Sequence, residues 1–447
     1  MTRDPAGTPA AVVPARLRRV VGLSFGVAVI VGGTIGAGIL RTPGTVASYL
    51  GRSDLILGVW AFVGVIVALG ANCYAELSTA MPTAGGPYVF VRRGLGGFAG
   101  FAAGWSDWIT QLCAVAYISV ALGEYVAELT PGVRGHEQGL AVVLLTGVTA
   151  LNWLGMRVSA TFQQWMSAAK AVGLVGIALA CLIAGGAPGS SAVDAYSQSS
   201  TTSMGLVVAI LLSIRTISET YSGWMGIVYF SEDQREPSTN IPRALFWGVL
   251  LVILLYLLVN VALLRTLPMA ALASSRLAVA DAAQEVFGGL SGRIVTVFSI
   301  VSLLGILNVT TMGAPRILFG LSRDGFMFAR ASRLNRRGAP GVAMIVTSSA
   351  AAILIFGTSF ATLFAMAGFL GIAIDAAVYV SFFRLRQSEP MLPRPYRARG
   401  YPLLPAIALL IAGSLLVGFV IGDAETSLYA IAMLAASYPV YAVARRR

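Results

Sequence analysis

Histidine occurs once in the 447 residues, as His136, and cysteine only three times, as Cys73, Cys113 and Cys181. His136 lies in a polar stretch, and the cysteines fall inside apolar runs without metal-ligand spacing. The sequence therefore offers no histidine-based metal or catalytic site and no disulfide framework, and no cofactor is implied. Charged residues make up only 11% of the chain against 57% apolar, a balance that soluble globular proteins do not show. No polar stretch has the length of a soluble domain; the longest, Gly185 to Ser203, reads as a Gly/Ser-rich external loop. The net charge of +12 does not form one basic face, since the arginines lie between hydrophobic runs. It reports membrane topology, not nucleic-acid binding.

Lysine too occurs once, as Lys170, while the other 30 strongly basic residues are arginine. Lys170 sits in an apolar stretch running from Trp165 to Ile183. An ammonium within a bilayer-length helix costs about 2.5–3.5 kcal/mol on insertion scales, so it normally faces a cavity or a partner. The alternative is a lysine near a helix end that snorkels to the interface.

Apolar segments long enough for a bilayer of about 30 Å occur near 19–48, 54–80, 97–129, 138–156, 162–186, 204–230, 243–266, 289–320, 340–358, 360–383, 402–422 and 425–443. The fold class is thus an all-α polytopic membrane protein with 12 transmembrane helices. Arginine placement supports the count: 23 fall in the tails and even-numbered loops, against 6 in odd-numbered loops and nearby helix ends. That asymmetry places both termini in the cytoplasm. Residues 1–18 read as a short cytoplasmic tail and not a signal peptide, 19–443 as one transmembrane domain, and 444–447 as a second cytoplasmic tail. The cytoplasmic arginines would also touch anionic membrane lipids.

Two spans contain interruptions. The first carries Gly32-Gly33-Thr34-Ile35-Gly36-Ala37-Gly38, and each glycine weakens a helix by about 1 kcal/mol relative to alanine. Gly22 and Gly26, just before, read as helix-packing glycines. The sixth span carries Glu219-Thr220-Tyr221-Ser222-Gly223-Trp224. Breaks at corresponding places of two five-helix halves point to a transporter binding site near the midplane. Unpaired N–H groups at a half-helix start can hold a carboxylate, and freed carbonyls can hold an ammonium.

These segments resemble the amino acid–polyamine–organocation superfamily of secondary transporters, especially the branch related to L-type amino acid exchangers. Val31-Gly-Gly-Thr-Ile-Gly-Ala-Gly-Ile39 is similar to that family's unwound first helix. Tyr74-Ala-Glu-Leu with Met81-Pro-Thr-Ala-Gly-Gly-Pro-Tyr88 is similar to the motif closing its second. Asn152 to Gln163 and Lys170 follow its fourth-to-fifth helix pattern. Gly223-Trp224, Glu232, Pro237 and Asn240-Ile-Pro-Arg243 match the segment after its sixth-helix break. Ala314-Pro-Arg316, Arg323-Asp-Gly325, Arg394-Pro-Tyr-Arg and Gly400-Tyr-Pro402 complete the likeness.

The resemblance implies a 5+5 inverted repeat, about 19–186 and 204–383, with broken helices 1 and 6, and two peripheral helices at 402–443. It implies alternating access by a sodium-independent exchanger or proton-coupled permease in the cell membrane, and not an enzyme. The site would take in Thr34, Ile35, Gly36, Ala37 and Gly38 with Glu219, Thr220, Tyr221, Ser222 and Gly223. Amides around Gly36, Ala37 and Gly38 would bind the substrate α-carboxylate, and the carbonyls of Thr34, Glu219 and Ser222 its α-ammonium. Lys170 would replace a sodium ion and bridge the first helix to the eighth.

Two departures stand out. Ala37 lacks the hydroxyl that many relatives carry, and Glu219 occupies the place of an aromatic gate. Glu219 either contacts a cationic amino acid, amine or polyamine, or titrates as part of proton coupling, or pairs with Arg215 one turn earlier. Glu76 and Glu232 read as residues near cytoplasmic helix ends, held by local hydrogen bonding or by loop arginines, and Asp107, Glu124 and Asp375 as unranked proton-site candidates. An accessory subunit is not expected, because no cysteine lies in an external loop. A channel or an intramembrane enzyme is the remote alternative; neither a filter motif nor a catalytic constellation is present.

Overall fold

The computed structural model describes residues 16–184, 205–357, 360–422 and 424–445. The tail through residue 15, the loop at Gly185–Ser203 and the last two arginines lie outside the described residues. Within hydrocarbon, every peptide group must be satisfied inside its own segment, which favours helices. The regular structure is accordingly helical throughout, and the pairing of extended backbone is limited, among the described residues, to an isolated bridge between Val21 and Gln234.

In chain order the helices are α1 (Leu23–Thr34), α2 (Ala37–Leu50), α3 (Ser53–Ala80), α4 (Pro87–Leu95), α5 (Gly97–Leu129), α6 (Glu137–Trp153) and α7 (Met156–Ala184). Then follow α8 (Leu206–Thr220), α9 (Pro237–Thr266), α10 (Met269–Ser274), α11 (Ala278–Phe287) and α12 (Ser291–Arg323). The last four are α13 (Gly341–Gly357), α14 (Phe360–Ser388), α15 (Leu403–Gly422) and α16 (Ala424–Arg445). By length and apolar composition, 8 helical runs among the described residues can cross a membrane, or 9 when the bent pair α1 and α2 counts as one. The shorter α13, with 17 residues, is apolar as well. Three helices do not correspond to any apolar segment. α4 carries Arg92 and Arg93, α11 carries Asp281 and Glu285, and α10 has 6 residues, so none satisfies a long apolar criterion.

The packing divides into two large apolar clusters. One draws on α1, α2, α3, α8 and α9, with Trp60, Tyr221 and Tyr256 fully enclosed. The other draws on α5, α6, α12 and α13, and also holds Phe25 and Val29 of α1 with Tyr229 and Phe230. α7 packs against α1, α9 and α12, so it touches helices from both clusters.

At one end of the molecule, buried carboxylates meet arginines. Glu76 pairs with Arg386 and with Arg394 at 3.1 Å, and accepts the Ala398 amide at 2.6 Å. Glu232 pairs with Arg323 at 2.8 Å and accepts the amides of Leu17 and Ala84, both at 2.8 Å. Asp233 meets Arg316 at 2.9 Å, and that guanidinium lies 4.7 Å above the Phe230 ring. The foot of the first helix is sewn to the same segment: Val20 and Val21 donate to the Asp233 carbonyl, and Arg235 donates to the Val21 carbonyl.

Candidate functional site

The first break is narrower than the glycine run predicts. Gly32 and Gly33 stay in α1 and Gly38 in α2, leaving Ile35 and Gly36 extended between helices bent by 50°. Glycine at 32 serves close approach instead, whereas a Cβ on Gly33 would meet only ordinary contacts. A Cβ on Gly32 would stand 2.1 Å from Gln163 Nε2, and one on Gly33 would stand 3.4 Å from the Gly223 carbonyl oxygen. Gly26 packs as expected, 2.7 Å from Ala244 for an added Cβ, but Gly22 faces open space and caps α1.

A helix that stops inside the protein leaves its last carbonyls to be satisfied elsewhere. In α1, Val31 O accepts the Ile35 amide at 3.0 Å. Lys170 Nζ donates to Gly32 O at 2.8 Å and to Ile35 O at 2.9 Å, and its third hydrogen bond reaches Ser302 O of α12 at 2.9 Å. Tyr256 Oη donates to Thr34 O at 2.9 Å and is 3.1 Å from Thr220 O, so one hydroxyl spans both breaks. Lys170 is 0% exposed, and its three donors meet three carbonyls.

Below Lys170, a polar stripe runs along α7 at helical spacing. Ser167 donates to Ala28 O at 2.6 Å, Gln163 donates to Ser167 Oγ at 3.1 Å, and Asn308 of α12 donates to Gln163 Oε1 at 2.9 Å. Serine, glutamine and lysine at 159, 163, 167 and 170 share one face, a signal present in the sequence but not drawn from it. Tyr256 gave no such signal, being one tyrosine in a long apolar run.

The second break ends α8 at Thr220. Tyr221 N–H still bonds Ile217 O at 3.0 Å and Ser222 N–H bonds Glu219 O at 3.1 Å, and the chain then turns at Gly223 with φ +101°. A Cβ on Gly223 would lie 2.6 Å from Gly33 O, so the two breaks meet backbone to backbone. Thr220 Oγ1 lies 2.6 Å from Thr42 Oγ1 of α2, and Gly38 leaves room for the Thr220 side chain.

The structure thus brings together Thr34, Ile35, Gly36, Gly38, Thr220 and Gly223, with Ala37 opening α2. Tyr221 packs behind the bridging Tyr256, its ring 5.0 Å from that of Tyr256 and 6.1 Å from Trp60. Ser222 is exposed. Glu219 lies 3.9 Å from Arg215, whose guanidinium sits 4.1 Å over Phe419 of α15.

The electrostatics suit a zwitterion. The N-terminus of α2 has Gly36 as an extended cap with no side-chain bond, leaving its first amides directed outward from the helix and partially positive. The ends of α1 and α8 offer carbonyls and partial negative charge.

The sequence matches the amino acid permease family model over residues 23–440. It is 27% identical over 442 residues to the serine/threonine exchanger SteT of Bacillus subtilis, covering 96% of this chain and 98% of that one. It is 28% identical to the mouse large neutral amino acids transporter small subunit 2, covering 95% of this chain and 81% of the relative. With the rabbit b(0,+)-type amino acid transporter 1, identity is 29% over 84% of this chain and 78% of the relative. The family and these relatives are transporters, and with its apolar helices this chain is an integral membrane protein belonging to the amino acid permease family.

Proposed function

We propose that this protein exchanges small neutral amino acids across the cell membrane without sodium, by alternating access. The three hydrogen bonds from Lys170 to Gly32, Ile35 and Ser302 carry the reading. A fixed ammonium there occupies the place of a small cation between the broken first helix and α12. The α-carboxylate binds the amides of Gly36, Ala37 and Gly38 at the start of α2. The α-ammonium binds the carbonyls of Glu219 and Ser222, with Thr34 O shared with the Tyr256 hydroxyl. Ile35, Thr220, Tyr221 and Gly223 shape the site through backbone and packing. The division of the core into two clusters supports a cycle in which one helix group rocks against the other around the breaks.

In this reading the chain forms 12 spans, with both termini cytoplasmic. The repeats are 19–186 and 204–383, followed by peripheral helices at 402–443. It works without a disulfide-linked subunit, since all three cysteines are buried and free; one relative is itself named a small subunit. The 3.9 Å approach of Arg215 to Glu219 supports neutral substrates over cationic amino acids or amines, because the nearby guanidinium already answers that carboxylate.

The test is counterflow in proteoliposomes loaded with serine, threonine, alanine or leucine. Exchange is expected in sodium-free buffer and is expected to collapse in Lys170→Ala at equal protein density. A sodium requirement, or unchanged exchange by Lys170→Ala, would overturn the surrogate role.

A further inference from the structure

Buried carboxylates in this protein divide into two groups. Glu76, Glu232 and Asp233 each meet an arginine, whereas Asp107 and Asp375 form no ion pair among the described residues. Both lie within long apolar helices, α5 and α14. Tyrosine hydroxyls are their partners instead. Tyr229 donates to Asp107 Oδ1 at 2.8 Å and accepts from Gln111 Nε2 at 3.0 Å. Tyr74 donates to Asp375 Oδ1 at 2.5 Å. Asp107 is 1% exposed, and its Oδ2 is buried with no hydrogen-bond partner. Asp375 is only partly buried, so it is the more accessible of the two.

The groups form one patch beneath the second break. Tyr74 packs 5.1 Å from Trp224, the residue after Gly223, and 6.3 Å from Tyr379. Tyr229 lies in the short 3-10 turn Gly226–Phe230 that follows the same break. Tyr229, on Asp107, and Trp224, beside the Tyr74 that holds Asp375, belong to the same short segment after Gly223. The titratable groups facing the two carboxylates are Tyr74 and Cys73 from α3, Tyr229 from the turn and Tyr379 from α14. Arg316 of α12 is engaged by Asp233, and Arg92 of α4 by Asp324 and Tyr88. α13 carries no titratable residue, and Tyr441 of α16 packs with Phe98, Phe101 and Phe326.

An ionised carboxylate without a cation is strongly disfavoured in such a place. We propose that Asp107 and Asp375 are a proton-binding pair coupled to the amino acid site. A proton entering at Asp375 converts one carboxylate into a neutral carboxyl, with Asp107 as the inner acceptor through its orphan Oδ2. Movement of the turn after Gly223 shifts Tyr229 and Trp224 together. It thereby changes the hydroxyl on Asp107 and the ring beside Tyr74, which links proton affinity to substrate occupancy. This deepens the proposed transport function and rests on it for the word coupled.

Infrared spectroscopy on the full-length protein in lipid tests proton binding without any transport assay. At neutral pH a protonated-carboxyl C=O band is expected, and Asp107→Asn or Asp375→Asn should each diminish it. Tyr229→Phe keeps both carboxyls and should shift the band, not delete it, which covers the case of an aspartate variant that does not fold. An absent band, or one unchanged by all three substitutions, overturns the proton site. Serine counterflow measured across pH tests coupling: the wild-type rate should change through the range in which the infrared band disappears, and Asp107→Asn should lose that dependence. A wild-type exchange rate that stays flat through that range overturns the coupling while leaving the exchanger reading intact. If the wild type exchanges no amino acid, the transport reading fails instead, and the infrared band alone decides the proton site.

Discussion

At Arg316 a buried guanidinium meets Asp233 at 2.9 Å and stacks over Phe230, whereas at Lys170 a buried ammonium meets three main-chain carbonyls and no carboxylate. The first arrangement cancels its own charge. Its geometry is tight, and its partners sit on α12 and on the segment after the second break. The second leaves a unit charge answered only by dipoles, two of them on a helix that stops there. An ion pair of the first kind is a clamp whose loss leaves a naked charge. A dipole-solvated cation of the second kind depends on the helix end staying in place, so its energy changes when that end moves.

The largest effect is expected from breaking the clamp. Asp233→Ala strands Arg316 and should destabilise the fold by about 3–5 kcal/mol, read as a lower thermal midpoint in detergent. Replacing both partners, Arg316→Met with Asp233→Leu, should recover most of that loss, and failure to recover would mean that the pair does more than neutralise itself. Next comes Lys170→Ala, which leaves three carbonyls unanswered and should cost about 3 kcal/mol, roughly 100-fold in counterflow. Its thermal midpoint should fall less than that of Asp233→Ala; the reverse order would erase the distinction between clamp and dipole site.

Gly223→Ala adds a Cβ at positive φ, 2.6 Å from Gly33 O, and should cost about 2 kcal/mol, visible as reduced exchange and reduced stability. Tyr256→Phe removes one bridging hydroxyl and should cost about 1 kcal/mol, seen as a several-fold rise in half-saturating substrate. The smallest effect should come from Glu219→Gln. With Arg215 nearby, neutral amino acid exchange should change by less than about twofold, and a much larger loss for a basic than for a neutral substrate would restore Glu219 to the binding site.

The sequence carried the breaks because glycine density is a local signal, and it carried Lys170 because a lone ammonium in an apolar run has few physical explanations. For Glu76 and Glu232 it left local hydrogen bonding or arginine pairing open, and did not tell which of the many arginines each would meet. What it missed depends on distance in three dimensions. Tyr256 bridges Thr34 and Thr220 from a helix whose sequence is plain hydrocarbon. The unwinding expected over Gly32 to Gly38 shrank to Ile35 and Gly36, and Gly32 was answering close neighbours on α7 instead. Composition marks a glycine as special without saying whether it bends the chain or lets another chain close.

The backbone stitch between Val20, Val21, Asp233 and Arg235 has a consequence for the number of independent moving parts. Two broken helices would ordinarily contribute two inner halves, each free to swing on its own hinge. Joined at their feet by main-chain bonds, which only a proline at a donor position would remove, these two segments are tied to one another. Any opening at this end of the proposed cycle would then move both segments as a single leaf.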